Sequence, residues 1–231
     1  MRQIIIRHHI GRKLIKIMNV IEKFISIEGE GLFQGYPTVF IRFSGCNLNC
    51  SYCDTYYSHE FNQGIKTKHN EIIEYVLSTK IKRVTLTGGE PLLQSNINEL
   101  INNLDKYGII VNIETNGSID ISHINKNKNT VITMDYKLPS SGMTVFMREE
   151  NINILKNSDV LKFVCSNKND LDIALNIIKI YNPKCNIIFS PVFEKINPVD
   201  IVNFLIDNKL NNCKLQLQIH KIIWNPNMRC V

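Results

Sequence analysis

The sequence predicts a single α/β domain built as a partial (incomplete) β/α barrel of about six parallel strands. Three observations lead to this class. From residue 36 onward short β-rich runs alternate with longer stretches of helical period, the pattern of β/α units around a parallel sheet. Almost every β-rich run ends in a polar or glycine-rich turn, and in such folds ligands sit at the carboxyl ends of the strands. Six units fall short of the eight that close a full barrel, so the sheet is expected to stay open, with N-terminal strands or a partner subunit covering the gap.

The elements follow in order. "MNVIEKF", from Met18, begins the first patterned element. The strands are "TVFIRF" (38–43), "RVTLT" (83–87), "IIVNIET" (109–115), "TVITMDY" (130–136), "VLKFVC" (160–165) and "NIIFS" (186–190), each rich in β-branched or aromatic residues. Helical period marks 69–79, 95–107, 149–157, 169–180 and 198–208, and Asn169-Asp170 and Asn197-Pro198 are start signals for the last two. A final run, "KLQLQIHKIIW" from Lys214, alternates Leu and Gln as a half-buried strand would and is expected to close or flank the sheet.

With 231 residues, 44% of them hydrophobic, the chain can bury an ordinary core. Lys, Asn and Glu interrupt every apolar run before the roughly 18 residues that a membrane span requires. The formal charge of +6 is concentrated at the start: Arg2, Arg7, Arg12, Lys13 and Lys16 come with no acid, and without them the charge falls to +1. The body of the chain therefore shows no basic excess for nucleic acid. Residues 1–17 are expected to be an extension preceding a domain over 18–231: a disordered tail, an organelle-targeting helix or, the favoured reading, translated upstream sequence with the start at Met18.

Seven cysteines, an odd number at irregular spacing, imply a reducing, cytoplasmic setting in which clustered thiols are ligands. Cys165, Cys185 and Cys213 read as buried apolar residues. Cys46, Cys50 and Cys53 form a CxxxCxxC loop directly after the first parallel strand. Three thiolates leave two chemistries open. Structural zinc needs a fourth ligand, for which His59 is the nearby candidate. A 4Fe-4S cluster held at three irons leaves the fourth for an exogenous ligand. A second motif, "TLTGGEP" (85–91), ends the next strand, and its two glycines let a ligand approach the backbone. "GEGLFQG" (29–35) has the wrong glycine spacing for a dinucleotide loop and precedes a strand instead of following one.

CxxxCxxC with Tyr52 just before its third Cys, together with "GGEP", resembles the radical S-adenosylmethionine superfamily. The stretch 24–55, with "TGGEPLL", "DYKLPSSG" and "LQLQIHKIIW", is similar to the 7-carboxy-7-deazaguanine synthase family over about residues 18–231. That resemblance implies a lyase of queuosine and deazapurine biosynthesis. It would convert 6-carboxy-5,6,7,8-tetrahydropterin to 7-carboxy-7-deazaguanine with loss of ammonia, through hydrogen abstraction at C6 by a 5′-deoxyadenosyl radical. The cofactors implied are the 4Fe-4S cluster, S-adenosylmethionine and Mg²⁺; the partners are a flavodoxin or ferredoxin as electron donor and a second copy in a homodimer.

Residue by residue, the resemblance places the cluster on Cys46, Cys50 and Cys53 and Mg²⁺ on Thr55. It places S-adenosylmethionine against Gly89, against Asp135, Tyr136 and Lys137, and against Ser190, Pro191, Val192 and Phe193. Substrate is placed against Ile27, Glu28, Gly29, Thr87, His220 and Val231. Arg42, an Arg inside an apolar strand, also offers a bidentate fork to a carboxylate on chemical grounds. No catalytic residue is assigned beyond these ligands. The alternatives are a glycyl-radical activating enzyme of the same superfamily and a zinc-binding interaction module.

Overall fold

The structure, a computed structural model, describes residues 16–124 and 127–231. The extension expected over 1–17 lies outside the described residues apart from Lys16 and Ile17. Among the described residues nine strands form one sheet in the order β3-β1-β2-β4-β5-β6-β7-β8-β9. β2 (Pro37–Phe43), β4 (Arg83–Gly88), β5 (Ile110–Thr115), β6 (Thr130–Tyr136), β7 (Val160–Cys165) and β8 (Asn186–Pro191) are the six predicted parallel strands. The short β9 (Cys213–Leu215) extends them by one. The opposite edge is antiparallel: β1 (Ile17–Ile27) pairs with β2 and with β3 (Ile65–Lys68). β3 and β9 do not pair, so the barrel is open.

Period-two alternation divides each parallel strand between two environments. On one face Val84, Leu86, Val111, Ile113, Ile132, Met134, Leu161, Phe163, Ile187 and Phe189 enter the core. The helices α1 (His69–Ser78), α2 (Ile97–Lys106), α4 (Lys168–Tyr181) and α5 (Pro198–Asp207) cover that face with Ile72, Leu100, Leu104, Leu171 and Ile201. The concave face is polar. Asn112 donates to Thr85 Oγ1 (3.3 Å) and accepts from Thr133 Oγ1 (2.9 Å), a cross-strand chain under the cavity floor.

Helix starts follow local chemistry. Asn197 caps α5, accepting from the Val199 amide, with Pro198 in the first turn, as the sequence indicates. Asn167 caps α4 in the same way through Asp170 N–H, two residues before the predicted start. α3 (Glu150–Ile154) stops three residues short of its predicted end. Among the described residues no helix is long and apolar enough to cross a membrane.

The final run corrects the expectation of a strand. Ladder pairing ends at Leu215, and His220–Ile223 is a single helical turn, α6. The Leu/Gln alternation reflects a different two-sided environment. The Gln216 side chain accepts from Gly31 N–H (2.6 Å) and donates to Gly31 O (2.8 Å), so an amide side chain substitutes for a strand partner. Gln34 Nε2 bridges Gly29 O (3.0 Å) and Leu217 O (2.6 Å), and Ile219 N–H reaches Gly29 O (3.3 Å). The 28–36 loop and the C-terminal segment therefore clasp each other across the open side of the sheet.

Gln216→Ala strands both buried polar groups of Gly31, and each orphaned group costs about 1–3 kcal/mol. Urea unfolding is expected to show a loss of about 2–6 kcal/mol for the two groups together; an unchanged midpoint would mean that the clasp contributes nothing to stability.

Candidate active site

A cavity of about 570 Å³ opens on the concave face, at the carboxyl ends of the parallel strands. The CxxxCxxC loop after β2 supplies its rim. Gly45 N–H bonds Ser58 O (2.8 Å) and Cys46 N–H bonds His59 O (3.0 Å), so the turn at Tyr56–Ser58 holds the start of the loop. Cys46, Cys50 and Cys53 all face the cavity. Burial pushes the Cys50 thiol up to about 11, with Cys53 and Cys46 adding to it, and also raises Cys46, with Glu90 and Cys53 adding there. Thiolates form there when a bound cation offsets that cost, as a metal cluster does. Among the described residues no group of three His, Cys, Asp or Glu is set to hold a single metal ion, and His59 Nε2 makes a 3.2 Å contact with Cys53 Sγ. The donor set fits a group larger than one ion.

The "GGEP" turn packs against that loop. A Cβ on Gly89 would lie 2.2 Å from Gly45 O and 2.8 Å from Cys46 Cβ, so no larger residue fits without moving the cysteine loop. Glu90, fully buried, accepts from Leu92 N–H (2.9 Å), Asn116 N–H (2.7 Å) and Thr115 Oγ1 (2.9 Å). Burial pushes its carboxyl up to about 7 against those hydrogen bonds. It ties the turn after β4 to the turn after β5.

The residues that the resemblance places against the adenosyl part divide into those that line the cavity and those that do not. Asp135 and Lys137 line the cavity, 3.0 Å apart. Tyr136 points to the opposite face, where its ring meets Phe163 and its hydroxyl donates to Glu149 (3.1 Å). Val192 and Phe193 line the cavity, whereas Ser190 and Pro191 do not. The Ser190 hydroxyl lies 3.5 Å from Glu30, which lines the cavity.

Ile27, Glu28, Gly29, Arg42, Thr87, His220 and Val231 all line the same space, as does Thr55. Arg42 and Thr87 are register neighbours on β2 and β4. His220 belongs to α6 and not to a strand, and its ring packs onto Gly29. A Cβ at Gly29 would fall 2.1 Å from His220 Nδ1. Burial lowers the pKa of His220 against the pull of Glu30.

Sequence reasoning missed the charge cluster on the cavity wall. Lys162 Nζ lies 2.6 Å from Glu30 and 3.6 Å from Asp135. Burial opposes its charge, but Glu30 and Asp135 hold it protonated well above the usual lysine range. A signal was present: Lys162 interrupts the apolar "VLKFVC" just as Arg42 interrupts "TVFIRF". Glu28 accepts from Thr85 Oγ1 and is 2% exposed; burial, then the charge of Glu114, pushes it up to about 8.

The fold agrees with the comparisons. Escherichia coli QueE superposes with a TM-score of 0.69 at 21% identity, covering 87% of this chain and 94% of that one. The model of the radical SAM superfamily matches residues 40–205, and the chain is a radical SAM enzyme, a class that implies a 4Fe-4S cluster and S-adenosylmethionine. Two curated relatives are named 7-carboxy-7-deazaguanine synthase. That of Clostridium acetobutylicum is 52% identical over 92% of this chain and 98% of its own length. That of Methanospirillum hungatei is 39% identical over 90% of this chain and 86% of its own. The chain belongs to the 7-carboxy-7-deazaguanine synthase family.

Glu28 gives the site a pH signature. Its folded pKa, near 8, lies above its ordinary 4.5, so the folded state holds an extra proton between these values. The associated stability is complete below 4.5 and is lost as pH rises through 8. Glu28→Gln is expected to flatten that part of the profile and to gain on the wild type in thermal midpoint between about pH 5 and about pH 9. Parallel pH profiles for the two proteins would show that Glu28 is not the group responsible.

Proposed function

We propose that the protein converts 6-carboxy-5,6,7,8-tetrahydropterin to 7-carboxy-7-deazaguanine and ammonia, using a 4Fe-4S cluster, S-adenosylmethionine and Mg²⁺. Residues 18–231 act as the working domain. The observation that carries this reading is the convergence of the cysteine loop, Gly89, Arg42 and the 27–30 loop on one cavity. When bound, the reduced cluster and S-adenosylmethionine would supply the radical chemistry for hydrogen abstraction at C6 of the pterin.

The residues of the chain then have distinct tasks. Cys46, Cys50 and Cys53 hold the cluster, and the backbone at Gly89 receives the amino group of S-adenosylmethionine. Asp135, Lys137, Val192 and Phe193 flank its adenosyl part. Tyr136, Ser190 and Pro191 act by fixing the ends of β6 and β8. The 27–29 backbone reads the pterin edge, Arg42 takes its carboxylate, and Thr87 and Val231 pack against it. Thr55 holds Mg²⁺, which takes few protein oxygens and keeps several waters. His220, which lines the cavity against Gly29, offers a ring nitrogen as a hydrogen-bond partner to the substrate.

A glycyl-radical activating enzyme acts on a protein, and the clasp of the 28–36 loop with the C-terminal segment favours a small substrate instead. The zinc-module alternative would require a single-ion site. We also propose a flavodoxin or ferredoxin as reductant and a homodimer, whose second copy would cover the exposed Ile17, Ile25 and Ile65 of the antiparallel edge.

Reduced enzyme incubated with the carboxypterin, S-adenosylmethionine and Mg²⁺ is expected to yield the deazapurine by mass spectrometry. Cys46→Ala, Cys50→Ala or Cys53→Ala removes both the iron-sulfur absorbance and turnover. Thr55→Ala keeps the absorbance and weakens stimulation by Mg²⁺. A Thr55→Ala enzyme that responds to Mg²⁺ as the wild type does would sink the metal assignment.

A further inference from the structure

β1 contains a bulge between Val20 and Glu22: Val20 pairs with Phe43, whereas Glu22 pairs with Arg42. A bulge re-aims the side chains that follow it. Val20 belongs to the helix-covered core with Phe43, but beyond the bulge Phe24 stacks on Phe40 (4.9 Å) and both line the cavity. Without the bulge, two-residue periodicity would send Glu22 into the apolar core beside Val20. With it, a carboxylate that is only 8% exposed stands beside Arg42 on the cavity side.

Glu22 gathers three partners there. Arg42 Nε donates to Oε2 (3.1 Å), Tyr57 Oη donates to the same oxygen (3.0 Å), and Arg229 Nε donates to Oε1 (2.7 Å), with its terminal nitrogen on the same atom. The Arg229 guanidinium also lies 3.7 Å from the centre of the Tyr57 ring, a stacked cation-π contact. Burial would raise the pKa of Glu22, but the Arg229 hydrogen bond and the Arg42 charge outweigh it and hold the carboxyl below its ordinary range. Two guanidiniums around one carboxylate leave one positive charge in excess. Arg42 engages Glu22 through Nε and also lines the cavity. Arg229 draws the 226–231 tail along the cavity wall.

We propose that Glu22 is a positioning residue that joins Arg42 to Arg229, so that the C-terminal tail and Arg42 together form the end of the cavity that takes an anionic group of the substrate. This rests on the reading of Arg42 as the carboxylate ligand and adds its support and a second cation. The tail is thus part of the binding site, and its seating depends on one ion cluster in which Arg42 and Tyr57 flank the cysteine loop in sequence.

The test uses the full chain with its cluster reconstituted and compares Arg229→Ala, Glu22→Gln and the double variant, each confirmed folded by circular dichroism. Every variant is expected to raise KM for the carboxypterin about tenfold with much less change in kcat, the scale of one lost charged hydrogen bond. The double variant is expected to be no worse than the poorer single, because both changes remove one clasp. Glu22→Gln also sets the sign. A purely electrostatic carboxylate, once neutralised, would leave the site more positive and lower KM, and that result overturns the proposal.

Hydrogen exchange of residues 226–231 supplies a readout apart from turnover: Arg229→Ala is expected to speed it severalfold. Unchanged exchange overturns the clasp, and faster exchange with unchanged KM overturns its part in binding. If the wild type does not bind the carboxypterin at all, the proposed substrate falls while tail exchange still decides whether the clasp exists.

Discussion

A sheet that must be apolar on one face and polar on the other governs this protein. Each parallel strand sends every second residue into a core covered by helices, and the residues between them face a cavity. Charges on that concave face are tolerable only when paired, because an isolated ion removed from water is costly. Lys162 with Glu30 and Asp135, and Lys137 with Asp135, satisfy that requirement on the cavity wall. The same alternation explains why Asp135 and Lys137 reach the cavity and Tyr136 between them does not.

An open barrel has an unpaired side, and here the chain covers it with side chains instead of more strands. Gln216 and Gln34 satisfy backbone groups of the 28–36 loop that a closed sheet would have paired. The backbone at Gly29 is thereby held by Ile219, 190 positions away, and linked through Gln34 to Leu217. His220 seats on Gly29 in the same contact, so the clasp that closes the barrel also delivers a cavity residue.

The rim works by a related economy of contacts. Glu90 ties two strand-end turns together, and the closeness of Gly89 to Gly45 and Cys46 fixes the "GGEP" turn against the cysteine loop. On the antiparallel edge, one bulge in β1 turns Glu22 from the core to the cavity and lets it gather two arginines. Both are cases in which a single local irregularity sets long-range chemistry.

The six parallel strands, the helices between them and the three cysteines are legible in the sequence because they depend on local period and spacing, which neighbours along the chain determine. Arg42 also stands out, as a charge inside an apolar strand. Lys162 carried the same signal, but its partner Glu30 lies 132 residues away and nothing local pairs them. The final Leu/Gln run misleads because alternation reports two environments, not hydrogen bonding to a neighbouring strand. Which residues share the cavity, which carboxylates hold a proton and where the tail lies were decided by tertiary structure alone, since burial and charge pairing exist only once distant segments are packed together.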